Sequence, residues 1–514
     1  MHRMSVLILM AIPLFSAAQD GVTRLRWAGP AGTHPGTYEE WLAGHPFTDT
    51  EFHYTLDRVV HGDGRTGAVA ILTEYNLAPY LANEIEELSD NLQDEGYTVY
   101  VYQTAGGTPE ALREFLQDLY YSDSIEGALF VGNLPVAWFE VYDFGGALAN
   151  FPIDLFYMDL DGTWLDTINT GNGKYDGHTG PIKPEIYIGR LTTTGIGIDT
   201  VLLKNYFRKD RDYRDGSLNL PRSALVFVDD DWIPWAWQWA ADVSLLFADT
   251  TFFWQPETTR ASFYRQQLDT AQTWISVFAH SWPGGHQFSF NNGNQYDYYL
   301  STEYTSQNPP ASFYNFFACS FSRYTDNGYG GGRAIFNENY GLGAIGSTKT
   351  GSMLDFNYFY EPLGQGRTLG QAFKYWFDCI YDSVGMNFDR LCWHYGMTLL
   401  GDPFLKPLGH TTHISENEYE TNAIHGIEIS VNNPVSEHAR LILNLDRAQE
   451  TRIALYDCLG RHVTELFSGT LDPGSHPLSF DMVNTRGMPL PAGIYMLRAT
   501  IAGHIAIRKL VKVN

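Results

Sequence analysis

From Gly67 onward the chain plays one rhythm twice, and this limits its fold more than any other feature. "GAVAILT" is a short apolar run, followed by Leu81, Ile85, Leu88 and Leu92 at helical spacing, with Gly96 where such a helix would stop. "YTVYVYQT" is a second strand-like run, "TPEALREFLQDLYY" opens on Thr108 and Pro109 as helices do, and "GALFVG" is a third run. Parallel neighbours need a crossover, so this order reads as a parallel sheet. It returns from Ser223: "SALVFV", helix-like "WAWQWAADVSLLF", "TTFFW", a short helix at "SFYRQQL", "TWISVFA" ending at His280, "FYNFFA" ending at Cys319, and "GLGAIGS". The expected fold is α/β, with two subdomains of mainly parallel sheet at 66–215 and 216–408.

Past "GDPFLKPLG" the pattern breaks. Residues 409–426 read as a linker, and 427–514 carry short alternating segments ("ARLILNL", "TRIALYD", "HPLSFDM", "GIYMLRAT", "AIRKLVKV") between turns, as in a small all-β sandwich. Residues 19–65 read as a Gly- and Pro-containing lead, either a pro-segment or the start of the first subdomain. Ahead of it, "MHRMSVLILMAIPLFSAAQD" places His2 and Arg3 before an apolar run from Val6 to Phe15 and the small residues Ser16 to Ala18. This is the pattern of a signal peptide cut after Ala18, and the run is too short to span a bilayer. The expectation is a protein exported and then free or attached at the outer cell surface, with no transmembrane segment. At 44% hydrophobic and 18% charged residues the chain is globular, and a net charge of −26 without a basic tract argues against a nucleic-acid partner.

The cysteines Cys319, Cys379, Cys392 and Cys458 are too sparse for a disulfide-stapled framework; Cys379 and Cys392 could pair, which spacing does not decide. Functional residues of an open parallel sheet gather at the C-terminal strand ends, where both His280 and Cys319 fall. On neighbouring strands, about 4.8 Å apart, imidazole and thiol would meet. A thiol beside a histidine becomes a nucleophile near neutral pH, and the histidine then protonates the leaving amine. Backbone N–H groups at the two tips, Ser281 and Cys319, would hold an oxyanion. The plain alternative is that Cys319 is a buried small hydrophobe.

"SVFAHS", "NFFACS", "GLGAIGSTKTG" and "LLGDPFL", in this order, resemble the gingipain family of secreted cysteine peptidases in the caspase-like clan, and "GALFVGNLP" and "PEIYIGRL" resemble that family's first half. The resemblance implies two caspase-like subdomains, Cys319 as nucleophile, His280 as general acid/base, a thioester intermediate, protein or peptide substrates, and no cofactor for the chemical step. It departs at Ser281, where the family usually has Gly; His286 in "HSWPGGH" is a second, weaker candidate base. The family supports its histidine with an acid from the strand and loop opening the second half. Here Asp229, Asp230 and Asp231 stand there, and position favours Asp231, with a solvated turn or a cation site as the alternative. Gingipains cut after Arg or Lys using an acid in the specificity pocket. Asp242 could fill that role, but Lys349 on the loop after "GLGAIGS" would repel a basic side chain, so the preference stays open.

"DLDGTWLDTINTGNGKYDG" sets Asp159, Asp161, Asp166 and Asp176 among Gly and Asn, which suits a structural calcium; a Gly/Asp-rich turn is the alternative. In the last segment "NPVSEHARLILNL", "LYDCLGRHVTEL", "LPAGIYMLRA" and "RKLVKV" resemble the C-terminal sorting domain of the type IX secretion system, with Asn433, Pro434, Tyr456 to Arg461, Pro491 to Tyr495, and Arg508 and Lys509 as its marks. That resemblance implies type IX secretion machinery as a partner and makes Cys458 a buried small residue. Two other classes compete with a cysteine endopeptidase. One is an inactive secreted or surface binding protein on the same scaffold, which Ser281 favours. The other is a carbohydrate-active protein suggested by 13 Trp and 32 Tyr, although carboxylates as close as Asp229 and Asp231 do not define a glycosidase site.

Overall fold

A computed structural model describes residues 21–46, 49–64, 66–168, 170–291, 293–409, 427–431, 435–436, 438–445, 447–457, 462–484, 488–501 and 504–513. The signal segment, the linker beyond Gly409, Asn433, Pro434 and Cys458 to Arg461 lie outside them.

Thirteen strands of the described residues join one sheet: β1 (Phe52–Val60), β2 (Ala68–Glu74), β3 (Thr98–Gly106), β4 (Ile125–Val131), β5 (Tyr187–Leu191), β6 (Ser223–Val228), β7 (Asp249–Phe253), β8 (Gln272–Trp282), β9 (Gly285–Phe290), β10 (Gln295–Leu300), β11 (Ala311–Ala318), β12 (Gly343–Ser347) and β13 (Met397–Gly401). The order across it is β1-β3-β2-β4-β5-β13-β12-β11-β8-β6-β7, with the β9–β10 hairpin carried on β8. The two expected halves are therefore one continuous sheet. The seam is β13, which comes last in sequence yet lies antiparallel to β12 and parallel to β5. Gly401 ends it with φ +103°, where a Cβ would sit 2.1 Å from the Leu342 carbonyl, so a side chain would push the strand off its neighbour.

The crossovers form for the reasons their sequence suggests. Helix α1 (Ala78–Asp94) buries Leu81, Ile85, Leu88 and Leu92, and Gly96 takes the left-handed conformation after it. Helix α2 (Pro109–Asp123) starts on Thr108, whose hydroxyl accepts from the Ala111 N–H at 3.3 Å, and ends on Ser124 in the left-handed region. Helices α3 (Asp199–Arg214) and α4 (Ile233–Val243) follow β5 and β6. At the end of α3, buried Arg214 pairs with Glu95, Asp210 and Asp402, tying the first half to the segment after β13.

The lead is not a separate body. Its strand β1 pairs antiparallel with β3 at the sheet edge, and Val22, Leu25 and Ala28 are buried. The C-terminal region packs a three-stranded sheet (Ile427–Val431, His438–Leu445, Gly474–Asp481) and a four-stranded one (Gln449–Asp457, His462–Leu471, Gly493–Ile501, His504–Lys512) around its own core. Tyr456 packs at a tilt against Trp237 of the main body, with ring centres 5.3 Å apart. Among the described residues no helix is long and apolar enough to cross a membrane.

Candidate active site

Strand β11 is buried along its whole length, and β8 along all but Trp282, because both lie in the middle of the sheet. They run parallel, and their register pairs Ala279 with Ala318. The next residue on each is His280 and Cys319, which brings the two to adjacent strand tips. Strand β8 continues through Ser281 to Trp282 and turns at Pro283 and Gly284 into β9, a hairpin that the sequence did not announce. Beyond Cys319 the chain doubles back: Ser320 sits at φ +55° and its N–H donates to the Lys349 carbonyl at 3.0 Å. A non-glycine residue holds that conformation only where its surroundings over-determine it.

His280 is 2% exposed and bonded at both ring nitrogens. Nε2 lies 2.8 Å from Oδ2 of Asp231, and Nδ1 accepts the backbone N–H of Arg26 at 3.1 Å. The two partners fix the tautomer: Nε2–H donates to the carboxylate, and Nδ1 carries the lone pair. Trp232 packs on the ring with centres 4.7 Å apart. Burial lowers the affinity of His280 for a proton, the Asp231 bond works against it, and the net shift is downward. The same bond from His280 holds the Asp231 carboxyl below its ordinary range. Asp229 instead caps the turn, accepting the N–H of Asp231 at 2.9 Å and of Ser289 at 3.0 Å, while Asp230 accepts from Gly293 N–H and the Thr259 hydroxyl.

Cys319 is fully buried. Its sulfur lies 3.2 Å from the Thr350 hydroxyl and 3.8 Å from that of Ser320. Burial raises the thiol above its ordinary range; those two hydroxyls and the Lys349 ammonium offset it in part. Sequence reasoning missed Thr350 and Trp232, which carry no motif. It also missed the strap of Val22 to Ala28 that crosses the site. The strap bridges Trp27 to Ser281 in parallel sense, with the Ala28 N–H donating to the Ser281 carbonyl at 3.1 Å. Trp232 Nε1 donates to the Thr23 carbonyl at 2.7 Å, and the Arg24 guanidinium lies 4.5 Å over the Phe144 ring.

A model of peptidase family C25 matches residues 67–408. The chain belongs to peptidase family C25. No curated protein matches it. Among solved structures it is similar to the complex of Porphyromonas gingivalis RgpB pro- and mature domains, at TM-score 0.48 and 12% identity over 87% of this chain and 100% of that one. Dimeric latent PorU from Porphyromonas gingivalis is similar over 17% of this chain and 9% of its own, at 18% identity and TM-score 0.15.

In this C25 peptidase Ser281, which stands where gingipains usually have Gly, is held by a buried chain of hydroxyls. Its Oγ donates to the Ala279 carbonyl at 3.1 Å and lies 2.8 Å from Nδ1 of His286, whose Nε2 is 3.1 Å from the Tyr304 hydroxyl. Tyr304 is in turn 2.8 Å from Tyr264. Every member is satisfied at once if Tyr264 donates to Tyr304, Tyr304 donates to Nε2 of His286, and the His286 Nδ1–H donates to Ser281 Oγ. His286 itself stacks on Phe321 with ring centres 3.9 Å apart, and burial pushes it down to about 3, so it stays neutral. It faces the core, away from the role of second base.

Lys349 does not point a bare charge at the site. Its buried ammonium is 2.7 Å from Asp143 and donates to the Cys392 and Thr350 carbonyls. Asp242 lies on α4 with its Oδ2 buried and, among the described residues, without a hydrogen-bond partner; burial and nearby Asp355 push its carboxyl well up. Cys379 and Cys392 are free thiols, and Cys392 Sγ accepts the Phe144 N–H at 3.2 Å. Of the four aspartates read as a cation site, Asp159 and Asp161 come together with Glu185. Asp166 and Asp176 do not join them: their carboxylates accept the N–H groups of Gly171 and of Thr167 and Ile168, closing the loop between. A turn of short Asp side chains bonding nearby backbone is what such a sequence forms when local partners are within reach.

Proposed function

We propose that the protein is a secreted cysteine endopeptidase in which Cys319 is the nucleophile, His280 the general acid/base and Asp231 the group that holds His280 in its tautomer. The observation that carries this is the pairing of Ala279 with Ala318, which sets the next residues on two parallel strands side by side, with Asp231 on the far nitrogen of the imidazole. Nδ1 takes the thiol proton and the sulfur attacks the scissile carbonyl carbon. The C–N bond breaks as Nδ1–H protonates the leaving amine, leaving a thioester. Water, giving its proton to Nδ1, then attacks the thioester; the acid leaves and the thiol is restored. Backbone N–H groups of Ser281 and Cys319 are the proposed oxyanion donors. Asp242 remains the proposed acid of the specificity pocket, and Asp159 and Asp161 with Glu185 the proposed calcium ligands. Export is supported by the leader pattern and by the resemblance of the last segment to a type IX sorting domain.

The test is labelling of the full chain with a peptidyl thiol-reactive probe beside Cys319→Ala and His280→Ala. Modification confined to Cys319 and abolished in His280→Ala is the expected result. Reaction no faster than a free thiol would favour the inactive binding protein, a reading supported by the burial of Cys319 and the covered Nδ1.

A further inference from the structure

A cysteine peptidase must place the amine of the departing half of its substrate against the histidine that protonates it. Here a backbone nitrogen already stands there: the Arg26 N–H on Nδ1 of His280, at 3.1 Å. From that point the strap runs parallel to the end of β8, bridging Trp27 to Ser281 and donating the Ala28 N–H to the Ser281 carbonyl. Its direction, N- to C-terminal and away from His280 toward Trp282, is the direction a departing half must take. Main-chain pairing with a strand end supplies binding without regard to sequence, and side-chain pockets beside it supply the choice.

Such a pocket adjoins the strap. A groove of about 650 Å3 opens between residues 27–45 and the turns at 282–284 and 325–327, walled by half-buried Trp27, Trp41 and Trp282, with Trp138, Thr37 and Asp326 among its other lining residues. Trp41 lies 5.7 Å from Trp138, and Trp282 meets Tyr298 edge-on at 5.8 Å, so these rings are braced by neighbours. The groove begins two residues beyond His280. The indole of Trp27, one residue after the nitrogen on His280, is already one of its walls.

We propose that Arg26 and Trp27 hold the place of the first two substrate residues after the scissile bond, and that the enzyme prefers a polypeptide with a large aromatic side chain at the second of them. The inference rests on the Cys319–His280 reading for its chemistry, but the groove binds a peptide whether or not the bond is cut. Aromatic walls favour such a side chain through ring contacts and a large apolar area at little cost in rotamer freedom. The strap competes with substrate for the same edge and gives way when that edge is taken.

Two measurements test it. In the full chain carrying Cys319→Ala, backbone hydrogen exchange at Arg26 and Ala28 is followed with Arg-Trp-Ala-Gly or Arg-Ala-Ala-Gly, both at the concentration that half-saturates with the tryptophan peptide. The tryptophan peptide should raise exchange about tenfold or more by displacing the strap, and the alanine peptide should not. In the second, the unmodified enzyme digests a denatured protein and the new N-termini are sequenced. Aromatic residues should be enriched at the second position, and Trp282→Ala should flatten that preference. An equal or absent effect of the two peptides overturns the inference, as does a flat second position among Cys319-dependent products. Displacement by the tryptophan peptide with no Cys319-dependent cleavage upholds the groove and removes the proposed chemistry instead.

Discussion

The backbone N–H of Arg26 is bonded to Nδ1 of His280 at 3.1 Å, on the nitrogen that faces away from Asp231. A nitrogen whose lone pair is engaged is not free to take a thiol proton, and Cys319, one residue past the pairing of Ala279 with Ala318, is fully buried. The strap is held by the packing of Val22, Leu25 and Ala28 and by the Trp232 bond to Thr23. Burying a charge in place of Leu25 would cost several kcal/mol, more than the strap can bear without lifting. Leu25→Asp should therefore raise the rate of Cys319 labelling about tenfold or more, read by intact mass; an unchanged rate would show that the strap does not guard the thiol.

Asp231 holds the proton of His280 on Nε2, so its effect belongs to the chemical step and not to the stability of the fold. Asp231→Asn should lower kcat about 100-fold with KM little changed, on the scale of a positioned acid–base group. Because the Asp231 side chain is one-third exposed, unfolding free energy should move by about 1 kcal/mol or less. A variant with normal kcat would remove Asp231 from the mechanism.

Buried Lys349 pairs with half-buried Asp143, and losing the lysine leaves that carboxylate without its cation. Lys349→Met should cost about 3 kcal/mol in urea unfolding, and Lys349→Met with Asp143→Asn should recover much of it. The single variant should also slow Cys319 labelling at neutral pH, since the ammonium lowers the thiol. If the double variant is no more stable than the single one, the pair is not what holds this loop.

His286 makes stability depend on acid. Unfolded, it takes a proton near 6.5; folded, only near 3, so between those values the unfolded chain binds the extra proton and stability falls as pH falls. Buried His280 and His394, both shifted down, act in the same sense, while Asp229 and Asp242, shifted up, act oppositely. His286→Gln isolates one contribution. Its deficit against the parent should shrink by about 1.4 kcal/mol per pH unit between about pH 6 and pH 4 in denaturant titrations. A deficit that stays constant with pH would mean that His286 is not held neutral.

Much of this molecule was legible in the chain. The crossovers at 78–94 and 109–123 follow from apolar spacing and from Thr108, Pro109 and Gly96, which act through neighbours a few residues away. The strand tips at His280 and Cys319 followed from where two apolar runs stop. Two readings involve partners that lie far apart in sequence. The cation-site reading joined Asp159 to Asp166 and Asp176 by proximity along the chain, whereas Glu185 approaches from another segment. The charge of Lys349 looked available because Asp143, its partner, lies two hundred residues earlier on a hairpin turn.

The sequence by itself determined the alternation of strands and helices, the all-β character of the last segment, and the places where two apolar runs stop, at His280 and Cys319, since each depends on local apolar pattern and on stops within a few positions. The tertiary structure alone decided that β13 closes two halves into one sheet, that Asp229 turns to the backbone of Ser289, and that Arg26 lies on the free nitrogen of His280. Backbone pairing and single hydrogen bonds across such separations leave no period or motif in the chain. They are chosen only when packing brings the partners within about 3 Å.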